Sequence, residues 1–428
     1  MDHEKPQTVN ILIVKLSAIG DVIHTLPSLA ALRRCHPDAD ITWVVEEAAA
    51  DLLTGNPDLN RVIVSGRKRW IRDLRRGKIA QPLREMLAFF REIRRRPYDL
   101  VIDFHGLMKS AAIVLISGGK RKLGYNSLQE LSGLFYNEKI PEDLGKHAVD
   151  RYLDFVRYLA QGREGRDAER LKGPPEFTIA VGEAEQRRVA ALLAEHAEIL
   201  LPAKTNRLHE PEDERGFVGP ANHALATSPH MLHMERAAPA LPLMPIRKES
   251  NRKGDAFEGG PDSQGFRFIA VSPVAFWETK LWQDEKFAEL ADRLREELGI
   301  GVVLTGGEAG PLERIRGRMR TKAVNLGGRT TLRDLACLYR QAALLVTTDS
   351  GPMHLAAAMG TPVVALFGPT DPARTGPYGP GHRIVRKEIP CSPCFRRQCE
   401  APRCMTEISV EDVFEAVREM VAGREGNY

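Results

Sequence analysis

The chain has 428 residues, of which 43% are hydrophobic and 28% charged, with a formal net charge of +4. That balance excludes a disordered or fibrous chain and leaves apolar material for two cores, at a length that suggests two or three domains. The mild positive excess does not by itself imply nucleic acid, and six cysteines in so long a chain do not make a disulfide framework.

The N-terminal stretch from Met1 to Gln7 is polar and lacks the apolar core of a secretory signal. Asn10–Lys15 then reads as a buried strand, followed by a loop and a helix through about Arg34. Further strands are predicted at Ile41–Val45, Arg61–Val64, Asp99–Asp103 and Arg121–Tyr125, with a helix from about Leu107. Strands separated by helical patterns imply right-handed βαβ units and a parallel sheet. Between the third and fourth strands, residues 66–96 hold twelve Lys or Arg against three acids, a local excess of +9. This run reads either as a solvated helix face or as a surface for an acidic acceptor or anionic headgroups. Its few aromatics make base stacking, and so a nucleic-acid partner, a poor fit.

The pattern breaks over 197–265, where prolines recur and hydrophobic periodicity fades. Such a mixture does not bury enough surface to offset its ordering entropy, so a largely disordered insertion is expected there. The alternation restarts with strands at Phe266–Val271, Gly301–Leu304, Leu344–Thr347 and Pro362–Leu366, and helices at Asp284–Leu298, Leu332–Gln341 and Ser409–Val421. The expected organisation is therefore an N-terminal α/β domain (8–196), the insertion (197–265) and a C-terminal α/β domain (266–428). No stretch reaches the ~18 uncharged apolar residues of a spanning helix, so a cytoplasmic chain with at most peripheral membrane contact is expected.

In open parallel sheets ligands sit at the carboxyl ends of the strands, which singles out four loops. KLSAIGD (Lys15–Asp21) places Asp21 at a helix start, as a base for a bound hydroxyl or as a simple helix cap. SPVAFWETKLW (Ser272–Trp282) offers Lys280 as a point charge for a diphosphate, or as a surface lysine beside two core tryptophans. TTDSGPMH (Thr347–His354) opens a helix at Gly351, where backbone N–H groups can meet an anion, with Asp349 or Ser350 on a sugar hydroxyl or capping the helix. FGPTD (Phe367–Asp371) would line the same cleft. A fifth segment carries Cys391, Cys394, Cys399 and Cys404. Only one pair has zinc-knuckle spacing, which favours unbridged thiols over metal. Neither a GxGxxG fingerprint nor a GxxxxGK[ST] loop occurs, so redox and NTPase readings fall away.

Together these segments resemble glycosyltransferase family 9, the ADP-heptose:lipopolysaccharide heptosyltransferases. ILIVKLSAIGDVIHTLPSLAAL near the N-terminus, WVVEE at 43–47 and DFHGLMKSA at 103–111 look most like heptosyltransferase I. DSGPMHLAAAMGTPVVALFGPTDP at 349–372 is similar to the whole family, and CSPCFRRQCEAPRCM at 391–405 looks more like heptosyltransferase II. The resemblance implies a GT-B fold, two Rossmann-like domains facing across a cleft. It implies an ADP-heptose donor, a Kdo-lipid A-type acceptor at the inner face of the inner membrane, and inverting transfer with no catalytic metal or other cofactor. Asp21 matches the family's general base, and Lys280 its diphosphate-binding lysine. Asp349, Ser350, Gly351 and His354 match its donor site, and Arg67, Lys68 and Arg69 lie where acceptor-binding basic residues are placed. Ala275 and Phe276 stand where heptosyltransferase I has a Thr-Thr pair, a departure that leaves the subfamily open. Transfer of another sugar, a later core acceptor, or a silent nucleotide-sugar binder are the alternatives.

Overall fold

A computed structural model describes residues 8–126, 129–161, 170–201 and 267–425. The N-terminal half forms a six-stranded sheet of β1 (Asn10–Val14), β2 (Asp40–Glu46), β3 (Arg61–Ser65), β4 (Leu100–Asp103), β5 (Arg121–Tyr125) and β6 (Glu138–Ile140), in the order β3-β2-β1-β4-β5-β6. The C-terminal half repeats the plan with β7 (Phe268–Ser272), β8 (Gly301–Leu304), β9 (Val324–Asn325), β10 (Leu344–Thr348), β11 (Val363–Phe367) and β12 (Arg383–Arg386), in the order β12-β11-β10-β7-β8-β9. Neighbouring strands pair in parallel throughout both sheets. Helices on both faces account for the mostly apolar runs of the central strands: Ile11 to Val14 and all of β7, β10 and β11 are buried.

Each sheet reverses its winding direction once, between β1 and β4 in the first and between β7 and β10 in the second. The loops leaving such a neighbouring pair diverge and open a crevice. The segments that follow these strands carry Asp21 and Lys109 in the first turns of the helices after β1 and β4, and Lys280 and Asp349 after β7 and β10. The two halves meet where the helix after β1 packs on the helix after β10. Ile19–Cys35 packs on Ala148–Ala160 of its own half and on Gly351–Ala358 of the other. A polar seam adds Arg188 to Asp334 and Arg333 to Glu185 and to the carbonyl of Ala180, while Asp51 accepts from the Arg333 backbone N–H.

Strands β6, β9 and β12 escape the sequence reading because they are edge or near-edge strands of two to four residues, too short for a period to register. The basic run at 66–96 is two helices, Arg67–Arg75 and Ala80–Arg94, held to the sheet by buried Trp70, Phe89 and Ile93. At the end of the first half, Glu183–Ala194 packs along Leu332–Gln341, and the short helix Ala197–Leu200 buries Leu200 against Gly301. The expected insertion begins at 197, so its first residues are ordered against β8. From 202 to 265 it lies outside the described residues.

Candidate functional site

The loop after β1 is built around a buried cation. Lys15 is 3% exposed, and its ammonium donates to the Phe104 carbonyl at 2.9 Å and to the Tyr152 hydroxyl at 2.7 Å. Burial lowers its pKa, while Asp21 and Asp103 oppose that shift. Asp21 sits in the first turn of Ile19–Cys35. Its Oδ2 accepts the Ala18 backbone N–H at 3.1 Å, and its Oδ1 faces the Tyr152 hydroxyl at 3.4 Å. The helix-capping reading of Asp21 is therefore realised by one oxygen. The other, on a half-buried side chain, remains placed to take a proton.

On the opposite half, Lys280 ends a short turn at Glu278–Lys280. Its ammonium donates to Asp349 Oδ2 at 2.6 Å and lies 4.5 Å over the Trp277 ring. The Thr370 hydroxyl donates to the same carboxylate oxygen at 2.6 Å, so the FGPTD loop joins the cluster. Asp349 thus holds Lys280 and Thr370 and does not cap the following helix. Ser350 occupies the cap position without a side-chain cap bond, its hydroxyl donating instead to the Thr348 carbonyl. Pro352 has no N–H and the Met353 N–H bonds the Ser350 carbonyl at 3.1 Å, so in the first turn of Gly351–Ala358 it is the Gly351 N–H that is left for a ligand.

The two helix starts touch. A Cβ on Gly20 would lie 3.0 Å from His354 Nε2 and closer still to Cδ2, and one on Gly351 would lie 3.2 Å from the Ile19 side chain. Glycine at both positions is what lets the halves approach. His354 Nδ1 is 2.9 Å from His24 Nε2, with the rings edge to face, and His147 packs its ring against His24. Burial pushes the His354 pKa down to about 4 and that of His24 well below the usual value, so both are neutral near pH 7. One shared proton links them. His24 Nδ1 is buried without a hydrogen-bond partner, and an orphaned acceptor costs less than an orphaned N–H. His24 therefore donates from Nε2, and His354 carries its own proton on Nε2.

The predicted acceptor residues are less free than their sequence suggests. Arg67 and Lys68 both pair with buried Glu46, at 2.8 and 3.2 Å, and Arg69 pairs with Glu47 and Glu85. Burial alone would raise the Glu46 pKa, but the Arg67 and Lys68 hydrogen bonds outweigh it and hold the carboxyl low. Lys109 joins this group from the first turn of the helix Met108–Ser117 that follows β4, donating to Ser17 at 3.3 Å. Its pKa is lowered by burial and by the neighbouring Arg67 and Lys68. His105, pushed to about 2 by burial and by Lys15 and Lys109, is a neutral side chain between these cations. Lys15, His24, Lys109, Tyr152 and Thr370 are therefore site residues that the loop motifs did not single out. All but Tyr152 lie inside the motif segments, whereas Tyr152 is an ordinary helix residue until the fold delivers it.

Among the described residues no group of three or more His, Cys, Asp or Glu is arranged to hold a metal ion. Cys391 and Cys399 are exposed, Cys394 is half-buried, and Cys404 is buried beside Gly368 and Met405. Phe276 is 94% exposed on the loop before Lys280.

A family model described as glycosyltransferase family 9 (heptosyltransferase) matches residues 86–206 and 191–405. A lipopolysaccharide heptosyltransferase 1 from Pseudomonas aeruginosa is 28% identical over 440 residues, covering 97% of this chain and 99% of the relative. The lipopolysaccharide heptosyltransferase 1 of Escherichia coli K12 is 27% identical over 383 residues, covering 88% of this chain and 93% of the relative. Among solved structures, a family 9 glycosyl transferase from Veillonella parvula superposes with a TM-score of 0.69 at 20% identity, covering 99% of this chain and 100% of that one. The E. coli heptosyltransferase WaaC with ADP-2-deoxy-2-fluoro heptose superposes with a TM-score of 0.63 at 23% identity, covering 96% and 99%. These structures share the GT-B arrangement of paired α/β sheets.

Proposed function

The chain belongs to glycosyltransferase family 9, and from that premise we propose that it moves L-glycero-D-manno-heptose from ADP-heptose to the Kdo-bearing inner core of lipopolysaccharide, in one inverting displacement with Asp21 as base. The observation that carries this reading is the opposition of two unlike clusters. Asp21, with Lys15 and Tyr152, stands at one helix start. Lys280, Asp349, Thr370 and His354 surround the other, and Gly20 packs directly on His354.

The diphosphate of the donor takes the C-terminal side. Lys280 exchanges its Asp349 partner for phosphate oxygens, and the Gly351 N–H adds a donor where charge grows on the leaving group. The freed Asp349 accepts from a sugar hydroxyl while retaining Thr370, and His354 offers its Nε2 proton beside it. The acceptor hydroxyl lies against Asp21. As its oxygen forms the bond to the anomeric carbon, the bond from that carbon to the diphosphate breaks, ADP departs, and the hydroxyl proton passes to Asp21. Arg67, Lys68, Arg69 and Lys109 hold the anionic groups of the acceptor. The Glu46, Glu47 and Glu85 partners keep the three basic residues of Arg67–Arg69 extended toward that side until it arrives. No helix among the described residues is long and apolar enough to cross a membrane.

The test is ADP release from ADP-heptose by the purified chain, with Kdo-lipid A compared against the same acceptor already carrying one heptose. Turnover on the bare acceptor places the enzyme first in core assembly. Turnover only on the heptosylated acceptor moves it to the second heptose. Absence of release on both, with no ADP binding, removes the transferase reading.

A further inference from the structure

The helices Arg67–Arg75 and Ala80–Arg94 each bury one face and leave the other unexplained. The core side of the second helix is Pro82, Met86, Phe89, Phe90 and Ile93, spaced as a helical stripe, with Phe89 against Trp70 of the first. Its solvent side is not simply polar. Leu83 and Leu87, one turn apart, are 51% and 48% exposed, and Ile79 just before the helix is 66% exposed. Ile71 and Leu74 of the first helix are exposed as well. Five large apolar side chains within seventeen residues is more than the isolated exposed leucine every surface carries.

Cations surround these side chains. Arg72, Arg75, Arg76, Arg84 and Arg91 are all exposed, and none makes an ion pair with a described residue. The three acids of the segment are already committed: Asp73 to Lys78, Glu85 to Arg69 and Trp70, and Glu92 to Arg61. Apolar side chains ringed by unpaired arginines fit a surface that is anionic outside and apolar a few ångströms in. A helix of this pattern lies in the plane of a bilayer interface, leucines toward the acyl chains and arginines among the headgroups. A soluble acidic protein would satisfy the arginines and leave the leucines in water, and a second copy of this chain would bring like charges together.

We propose that the helix pair 67–94 is the face by which this protein docks on an anionic lipid bilayer. The first of these helices begins at Arg67 and Lys68, the residues beside Ser17 and Lys109 at the acceptor side of the cleft, so docking would set that side against the membrane. The inference goes beyond the transferase reading and is tested without it, because vesicle binding is measured with neither sugar donor nor acceptor present.

The experiment is flotation of the full chain with vesicles of pure phosphatidylcholine and of an equimolar mixture with phosphatidylglycerol, at low and high salt. Two variants accompany it: Ile79→Ser/Leu83→Ser/Leu87→Ser and Arg75→Gln/Arg84→Gln/Arg91→Gln. The wild type should float with the anionic vesicles, and less so at high salt. Each arginine removed should lower partitioning about fivefold, and the apolar variant should fall to the phosphatidylcholine level. The charge variant touches no buried group and keeps the test open if the apolar one misfolds. Equal binding to both vesicle types, unchanged binding by the charge variant, or a wild-type dimer that the apolar variant turns monomeric would overturn the proposal.

Discussion

Replacing Gly20 by alanine sets two effects against each other. Gly20 lies in the first turn of a helix, where alanine is favoured by up to about 1 kcal/mol. The added methyl, however, would press into the His354 ring, 3.0 Å from Nε2 and closer to Cδ2. That ring does not yield easily, being 8% exposed and hydrogen-bonded to His24. Overpacking of this kind costs roughly 1–3 kcal/mol, so packing wins. The least costly relief is for the two helix starts to part by about 1 Å, which restores ordinary carbon contact at ~3.5–4.0 Å. A misplacement of that size between reacting groups costs about 100-fold in rate. Gly20→Ala should therefore lower kcat/KM for ADP release about 100-fold and move Tm by only a few degrees. On a His354→Ala background the same substitution has nothing to strike and should cost at least tenfold less, a coupling of about 1.4 kcal/mol. Turnover within about threefold of wild type, or equal losses on both backgrounds, would refute the claim that this contact sets the separation of the two halves.

Other substitutions probe the same site. Asp21→Asn should lower turnover 10²–10⁴-fold while calorimetric ADP affinity stays unchanged, and unaltered turnover removes Asp21 from the chemistry. Lys280→Met leaves Asp349, 5% exposed, as a buried carboxylate with only Thr370 for company, and should destabilise by about 3 kcal/mol in denaturant melts. Adding Asp349→Asn should restore stability but not ADP affinity; recovery of both would deny Lys280 a phosphate role. The histidine pair sets an acid limit. With folded pKa values of about 4 for His354 and lower than normal for His24, against ~6.5 unfolded, the unfolded chain binds protons first. Stability is thus fully present above about pH 6.5 and falls as pH drops toward 4, by about 3 kcal/mol for His354 alone. Thermal melts of His354→Gln should show a shallower pH slope over that window, and a slope equal to wild type would mean the ring titrates normally.

Much of the fold was legible because its signals are local. The buried runs of β1, β7, β10 and β11 are mostly apolar segments, and the helices Asp284–Leu298 and Leu332–Gln341 fall where the 3.6 period places them. Asp21, Lys280, Asp349 and His354 became candidates because strand-end loops of parallel sheets are where ligands bind, but for Asp21 and Lys280 the residues alone favoured a cap and a surface charge, and the family resemblance supplied the roles. Strand β12, flanked by arginines, and the two-residue β9 exist only because a longer neighbour supplies the ladder.

The sequence by itself therefore determined the α/β alternation, the two halves and the loops that bear chemistry, since these depend on side-chain period and on residue types within a few positions. The tertiary structure alone decided the partnerships. Lys15 meets Tyr152 across 137 positions, and Lys280 meets Asp349 across 69. His24 meets His354 across 330. Such contacts join atoms brought together by the winding of two sheets and the packing of one helix start on another. Whether a lysine is a solvated charge or a buried ligand is fixed by that environment, which no local window of residues contains.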